Sequence, residues 1–387
     1  MRPVLMVTKD QVEFNQYQPI AKALVRQGIA VHIVAEAISL DKWMASGYEI
    51  YGGKPAKDFF DSNTGMRHDL NPAEVLAKLN PGVVMIGLAR PINLGEKFAV
   101  AVDAHNGNAK RASEEIVMGF VEDLWGVHGR VSVAPDFICT LDEMGVDRIQ
   151  AKRIKYAATN VFVTGNPAMD SLLSLNADPR MQNIAAGYKR VVLAAGQDYS
   201  TTPMLEGLMA ALDRVGDYLL LIRLHPKWTR VTPETVAGEE DQKKRAQAEK
   251  QLEAGNRWRH LAFSAKNGEV MLIRGDISTT QLMLSSHVVV SIFSNTILES
   301  AVLGRIPVSW ISDIGREMMA QELDGITQYP LVGYGAAVEV ASPDDYLGIV
   351  PGFGSEAHQR MIEITRRRFR PGRSAEEVVK IICSYLN

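Results

Sequence analysis

Short apolar runs alternate along the chain with stretches whose apolar residues recur at helical spacing. In the first half, the apolar runs predict strands at residues 4–7, 30–34, 83–86, 116–121, 137–141 and 161–164. Helical spacing predicts helices at residues 17–26 and 94–104, and Gly28 follows the first of them as a stop signal. Strands that alternate with helices indicate an α/β fold with a parallel sheet covered on both faces.

The second half repeats this alternation after the turn tripeptide Gly165-Asn166-Pro167. Its predicted strands are residues 191–195, 218–224, 270–273, 287–292 and 308–311, and its predicted helices are 203–214, 279–285 and 375–385. We therefore predict two Rossmann-like domains, 1–167 and 168–370, and a C-terminal helix in 371–387 whose return to the first domain stays open. Parallel sheets in tandem are expected to face a central cleft with their carboxyl edges, where ligands of such sheets bind.

Composition narrows the class of protein. The chain has 387 residues, 46% hydrophobic and 22% charged, which is typical of a globular enzyme with more than one core. A net charge of -3 gives no support for a nucleic-acid partner. Two cysteines, the absence of an apolar run of about 18 residues and an N-terminus without a signal-peptide pattern together predict a cytoplasmic protein.

Several common site motifs are missing from the sequence. The loop after the first strand lacks the GxGxxG pattern of a nicotinamide dinucleotide site, and no GxSxG elbow of a serine hydrolase is present. No HxxxH, DxD or CxxC spacing lies near a predicted strand end. We therefore expect neither a metal site nor a bound cofactor.

The stretch 291–307 carries the strongest candidate chemistry. It leaves a predicted strand, Ser294 or Asn295 can cap a helix, Gly304 ends that helix, and Pro307 permits only an extended exit. The free N–H groups of the first helical turn, which includes Thr296, and the helix dipole favour an anion. Glu299, one turn further, can accept hydrogen bonds from the vicinal hydroxyls of a ribose. A strong helix cap without any ligand is the alternative.

Three segments of the second half resemble the GT-B superfamily of nucleotide-sugar enzymes: Leu-Ile-Arg-Leu-His-Pro-Lys-Trp at 221–228, residues 294–299 with 304–307, and Leu-Ala-Ala-Gly at 193–196. Segments 121–126, 135–142 and 163–167 with Asp170 are similar to the UDP-N-acetylglucosamine 2-epimerase branch. They are also similar to glycosyltransferase-like proteins of surface-polysaccharide pathways. The resemblance runs from about residue 81 to 307.

The resemblance implies roles for particular residues. His225 would lie by the leaving diphosphate, and Gly196 would let the backbone approach it. Ser294 and Asn295 would bind phosphate, and Glu299 would hold the ribose. The epimerases begin with a Gly-Thr-Arg-Pro-Glu type loop, whereas residues 7–12 here read Val-Thr-Lys-Asp-Gln-Val. The missing arginine puts epimerase activity in doubt.

Carboxylates at strand ends are the candidates for acid–base chemistry. Glu122 matches a carboxylate that the epimerases use near the sugar ring, and Asp123 is its neighbour. Because adjacent strand residues point to opposite sides, one of the two is expected to face the cleft, and Glu122 is favoured. Glu96 opens a predicted helix in the same domain. Each of these carboxylates has the alternative of a purely structural role.

The resemblance predicts a metal-independent glycosyltransferase of a surface-polysaccharide or glycolipid pathway, with domain 1–167 for the acceptor and 168–370 for a UDP-linked nucleotide sugar. A UDP-N-acetylglucosamine 2-epimerase, hydrolysing or not, and a non-catalytic nucleotide-sugar-binding protein are the alternatives. The acceptor, the base, the sugar and a homodimer stay open. The basic run 366–373 is either an exposed helix end or a contact for an acceptor or membrane.

Overall fold

The computed structural model describes residues 1–386 except 49, 51–70, 88–92, 112–113, 123–124, 126–131, 152–157, 197–200, 224–231, 240, 263, 274–276 and 324. The chain divides into two compact units. Unit 1 comprises Met1–Ser171 and Arg368–Asn387, and unit 2 comprises Leu172–Arg367. The sequence patterns had suggested boundaries after residues 167 and 370.

Unit 1 is built on a six-stranded sheet in which every pairing is parallel. The strand order is β2-β1-β3-β4-β5-β6. Parallel strands need helical crossovers, so helices cover the sheet. The strands are β1 (Val4–Thr8), β2 (Val31–Ala35), β3 (Val83–Ile86), β4 (Val117–Val121), β5 (Phe137–Thr140) and β6 (Asn160–Val163). The helices are α1 (Gln11–Arg26), α2 (Ala37–Ala45), α3 (Pro72–Leu79), α4 (Asn93–Asn108), α5 (Glu143–Ala151) and α6 (Pro167–Leu172).

Unit 2 repeats the arrangement with a second six-stranded parallel sheet, in the order β12-β11-β10-β7-β8-β9. Its strands are β7 (Arg190–Ala195), β8 (Tyr218–Arg223), β9 (Glu269–Ile273), β10 (Val288–Ser291), β11 (Ile306–Trp310) and β12 (Val338–Val340). Its helices are α7 (Pro179–Ala185), α8 (Thr201–Val215), α9 (Pro233–Ala237), α10 (Gln242–Ala262), α11 (Thr279–Leu284), α12 (Asn295–Val302), α13 (Asp313–Glu322), α14 (Pro330–Gly333) and α15 (Pro343–Ile349). Two further helices, α16 (Glu356–Phe369) and α17 (Ser374–Leu386), complete the chain.

The C-terminal segment belongs to the core of unit 1. Arg368 Nε donates to Asp142 Oδ2 at 2.9 Å, and Trp125 Nε1 donates to Asp142 Oδ1 at 2.9 Å. Asp142 is fully buried, so these charged and neutral donors offset the cost of removing its carboxylate from water. Val378 and Ile382 of α17 are buried in the same cluster as β1 and α1. The segment therefore stabilises unit 1 through an ion pair and an apolar face.

The fold class that the patterns predicted, an α/β chain with two parallel-sheet domains, is confirmed. All six predicted strands of the first sheet and all five of the second are present. The sixth strand of the second sheet, Val338–Val340, was missed. It has three residues and a polar centre at the sheet edge, so its apolar pattern is too short to identify it.

A substitution at Gly165 tests how tightly the C-terminal segment packs against unit 1. Its φ is +78°, and a Cβ there would lie 2.7 Å from Phe369 O. We expect Gly165→Ala to lower the free energy of unfolding by more than about 2 kcal/mol, because it combines backbone strain with a backbone overlap. Gly107→Ala is the control, since Gly107 lies in α4 with open space around it, and we expect a gain of up to about 1 kcal/mol. Urea unfolding followed by circular dichroism measures both, and an unchanged midpoint for Gly165→Ala would contradict the packing described.

Candidate functional site

The topology of unit 2 creates a crevice at one place on its sheet edge. From β7 the chain adds β8 and β9 on one side and then returns to place β10 on the other side of β7. The connections that leave β7 and β10 therefore diverge to opposite faces of the sheet. Such a reversal leaves a crevice outside the carboxyl ends of the two strands, and open α/β sheets bind ligands there.

A hydrogen-bond chain joins the carboxyl ends of these two strands. Ser291 Oγ donates to Ala195 O at 2.9 Å, and Ser291 Oγ lies 3.3 Å from Ser294 Oγ. Because the Ser291 hydroxyl proton is directed at Ala195, Ser294 is the donor between the two hydroxyls. Ser294 Oγ in turn accepts from Thr296 N at 3.2 Å. The start of α12 is thus fastened to the end of β7.

Helix α12 buries one side and leaves the other accessible. Ile297, Leu298, Ala301 and Val302 are buried, and α12 packs on β10 and β11. Asn295, Thr296 and Glu299 are only partly buried. Asn295 and Glu299 are four residues apart and so lie on the same side of the helix. The residues that the sequence singled out occupy the accessible side.

Buried groups hold the amino end of α12 in position. Ser294 is its N-cap in extended backbone conformation. Tyr329, which is fully buried, donates from its hydroxyl to Ser294 O at 2.8 Å. Helix amino ends carry a partial positive charge from aligned peptide dipoles. A fixed amino end at the crevice is a suitable position for an anionic group.

Gly196 stands at the other side of the crevice, directly after β7. Its N–H donates to Arg223 O at 3.0 Å. A Cβ at this position would lie 2.8 Å from Cγ2 of Thr201, the first residue of α8. Glycine is therefore needed for the close approach of α8 to the strand end, and the amino end of a second helix follows β7. Gly196 and Ser294 thus follow the ends of two neighbouring strands, β7 and β10.

Two of the predicted catalytic residues, His225 and Asp123, lie outside the described residues. Glu122 follows β4 in unit 1 and is 1% exposed. Its Oε2 accepts from Leu141 N at 3.1 Å, and its main-chain carbonyl accepts from Gln16 Nε2 at 3.2 Å. These bonds join β4 to the loop after β5 and to α1. Glu122 therefore has a structural role, because its bonds join these three parts of unit 1.

Glu96 lies in the first turn of α4 and is partly buried. Its carboxylate accepts from Ser132 N at 3.0 Å and from the Ser132 hydroxyl. Glu96 and Glu122 are thus bonded to two different loops of unit 1. Trp125, which lies close to Glu122 in the sequence, is fully buried.

Unit 1 has its own switch point, between β1 and β3, and charged groups lie there. Glu13 is 4% exposed, and its Oε2 accepts from Asp10 N at 3.3 Å and from Lys9 N at 2.5 Å. A Cβ at Gly87, directly after β3, would overlap the Glu13 carboxylate. The Glu13 side chain is therefore held at the carboxyl ends of β1 and β3.

Glu36 follows β2 at the same sheet edge and is 1% exposed. Burial raises the pKa of Glu36, and the charges of Lys9 and Lys97 partly oppose the rise. Burial lowers the pKa of Lys9, against the attraction of Glu36, Glu13 and Asp10. Glu36 lies two residues after the predicted strand 30–34, and this position could have identified it. Buried carboxyl groups with shifted pKa values mark candidate sites.

Within the described ranges, none of the helices combines the length and the apolar character needed to span a membrane. Within the same ranges, no three His, Cys, Asp or Glu side chains are grouped so that they could hold a metal ion.

No family model matches the chain, and no curated protein does either. Solved structures are similar to it over nearly the whole length. The UDP-GlcNAc 2-epimerase from Neisseria meningitidis bound to UDP-GlcNAc has a TM-score of 0.63 at 14% identity, covering 99% of this chain and 100% of that one. A glycosyltransferase from Rickettsia africae has a TM-score of 0.57 at 11% identity, with 100% and 99% covered. MurG from Acinetobacter baumannii has a TM-score of 0.56 at 13% identity, with 99% and 100% covered. The fold is of the GT-B type.

Glu36→Gln should change how stability depends on pH. The raised pKa means that folded Glu36 keeps its proton to a higher pH than unfolded Glu36. The free energy of unfolding therefore falls as pH rises from about 4.3, the unfolded pKa, through the folded pKa. We expect Glu36→Gln to be more stable than the wild type at pH 7 and the difference to vanish near pH 4. Urea unfolding at several pH values measures it, with Glu115→Gln, an exposed glutamate of unit 1, as the control. A difference that is the same at all pH values would disprove the burial argument.

Proposed function

We propose that this chain is a metal-independent glycosyltransferase of a surface-polysaccharide or glycolipid pathway that uses a UDP-linked sugar. One observation supports the nucleotide sugar most: the capped amino end of α12 lies at the switch point of unit 2, beside the glycine that follows β7. The GT-B type fold supports the same conclusion, because the solved structures that share it include an enzyme whose name specifies a UDP-sugar.

The diphosphate is assigned to the crevice end of α12. Its charge grows when the glycosyl–phosphate bond breaks, because the leaving group takes the bonding electrons. Oriented helix dipoles and N–H groups stabilise such charge without rearranging. Ser294, Asn295 and Thr296 would form this anion site, with the main chain at Gly196 on the opposite side of the crevice. His225 would add a further hydrogen-bond donor.

The ribose is assigned to Glu299. Glu299 lies one turn from Asn295 on the same side of α12. This separation matches the distance between a phosphate and the adjoining ribose of a nucleotide. A carboxylate accepts hydrogen bonds from both vicinal hydroxyls of a ribose. The assignment of uridine as the base rests on the resemblance rather than on the described contacts.

Transfer also needs a base that takes the proton of the acceptor hydroxyl as its oxygen attacks the anomeric carbon. The carboxylates of unit 1 supply the candidates: Glu122, Asp123 and Glu96 from the sequence, and Glu13 and Glu36 from the structure. A carboxyl group whose pKa is raised toward neutrality is a stronger base than an ordinary one. Glu36 has this property.

A UDP-N-acetylglucosamine 2-epimerase is the second candidate, because enzymes of that name have this fold over the same length. Here the first loop, Thr8-Lys9-Asp10, lacks the arginine of the epimerase pattern. Its lysine and the buried Glu13 form a different set of charges. We therefore place transfer first. A non-catalytic protein that binds the same nucleotide sugar would share the crevice but show no turnover.

Glu299→Ala should weaken UDP binding about tenfold, the effect of losing a hydrogen bond to a charged group. The sharper test uses 2′-deoxy-UDP. The wild type should bind it less tightly than UDP, whereas Glu299→Ala should bind the two nucleotides equally. Calorimetric titration measures all four affinities, and Glu363→Ala, an exposed glutamate of unit 2, is the matched control. If Glu299→Ala weakened the binding of UDP and of 2′-deoxy-UDP by the same factor, Glu299 would not be the residue that binds the ribose.

Incubation with UDP-GlcNAc in the absence of an acceptor separates the candidate reactions. A transferase should leave the nucleotide sugar nearly intact, since water is a poor substitute for its acceptor. An epimerase should convert it to a mixture of 2-epimers or release UDP. Nuclear magnetic resonance of the anomeric protons detects either product, and rapid conversion would reverse the order of the two candidates.

A further inference from the structure

A second pocket lies in unit 2, at the amino ends of the strands whose carboxyl ends form the crevice. Its volume is about 470 Å3, and Arg190, Val191, His287 and Val288 line it where β7 and β10 begin. Residues 346–347 and 350–353, from the end of α15 and the loop that follows, close its other side. Small-molecule sites commonly have volumes of about 300–1,000 Å3. The size is therefore that of a ligand site.

The charged groups of the pocket are of one sign. Lys189 and Arg190 line it, and none of its lining residues, all of which are described, is acidic. Lys189 Nζ lies 3.5 Å from the exposed carboxylate of Asp217, a weak surface pair. Arg190 Nη1 donates to Gly216 O at 3.2 Å, which uses one of five guanidinium donors. This surface is complementary to an anion.

His287 adds a donor rather than an acceptor. Its Nδ1 accepts from Val191 N at 3.2 Å, so the proton of the neutral ring is on Nε2. Burial lowers the pKa of His287, and the nearby positive charge of Arg305 lowers it further. The neutral imidazole is therefore fixed in one tautomer. Two cations and an N–H donor line the same cavity.

An aromatic ring forms part of the opposite wall. Phe353 is 46% exposed, which is unusual for a large apolar side chain. Its ring centroid is 4.8 Å from that of His287 and 4.8 Å from that of the buried His358. Arg305 lies over the same ring at 5.6 Å. A ring that is already held in place loses little entropy when a ligand covers its exposed face.

The loop that carries this ring is itself anchored. Gly354 N donates to His358 Nδ1 at 3.0 Å. Arg305 Nη1 donates to Ser286 O at 3.1 Å, which connects the cation behind the ring to the residue before His287. The apolar wall and the basic wall are therefore parts of one fixed arrangement.

We propose that this pocket binds a small organic anion, with its acidic group between Lys189 and Arg190 and an apolar ring or short chain against Phe353. The charge of the lining selects an anion, and the exposed phenyl face selects an apolar body over a simple inorganic ion. The proposal does not rest on the proposed enzymatic function, because the crevice lies at the other ends of β7 and β10.

Fluorescence titration with 8-anilinonaphthalene-1-sulfonate tests the site, since the probe joins a sulfonate to aromatic rings. We expect saturable binding at one site and an increase in Kd of about tenfold for both Arg190→Ala and Phe353→Ala, the effect of losing one charged hydrogen bond or one aromatic contact. Neither side chain is in the core, and circular dichroism confirms that each variant is folded.

Matched controls make the result decisive. Arg366→Ala removes an exposed arginine, and Ile349→Ala removes an exposed apolar side chain that does not line the pocket. Both should leave the Kd unchanged, and saturating UDP should not displace the probe. The uncharged analogue N-phenyl-1-naphthylamine should bind at least tenfold more weakly than the sulfonate. Equal binding of the two probes, displacement by UDP, or an effect of only one of the two pocket substitutions would overturn the proposal.

Discussion

The adjacency of β7 and β10 is the constraint on which the functional assignment depends. Their parallel pairing aligns Val288 with Val192, and the strands that follow β7 occupy its other side. Because connections from neighbouring strands then leave toward opposite faces, the space above their carboxyl ends stays open. Ser291 and Ser294 use that space to join the start of α12 to Ala195. The amino end of α12 is therefore fixed by the sheet rather than by a loop.

Unit 1 uses its equivalent position differently. At the ends of β1, β2 and β3 it holds the carboxylates Glu13 and Glu36 and the ammonium group of Lys9, all with restricted access to water. Burial of charges costs stability unless opposite charges or hydrogen bonds offset it. Proteins commonly keep such groups where chemistry needs shifted pKa values. The two units thus hold different groups at these sheet edges, the capped amino end of a helix in unit 2 and buried carboxyl groups in unit 1.

The sequence predicted the strands well, because fully buried parallel strands are nearly continuous apolar runs, as at 288–291. It also predicted the helix α12 with a cap at Ser294 or Asn295, since a capping residue and the glycine that ends a helix are local signals. The sequence could not predict the orientation of Glu122, because this orientation depends on a hydrogen bond to Leu141, nineteen residues away in the chain. The pairing of Glu13 with the end of β3, and the stacking of Phe353 on two histidines, depend on still more distant contacts. Pattern and spacing do not report such contacts.

A crystal structure of the chain with UDP tests the central claim most directly. The account predicts that the β-phosphate lies within hydrogen-bonding distance of the main-chain N–H group of Asn295, with the ribose hydroxyls at the Glu299 carboxylate. UDP bound elsewhere in unit 2, or a diphosphate that does not contact the amino end of α12, would contradict it.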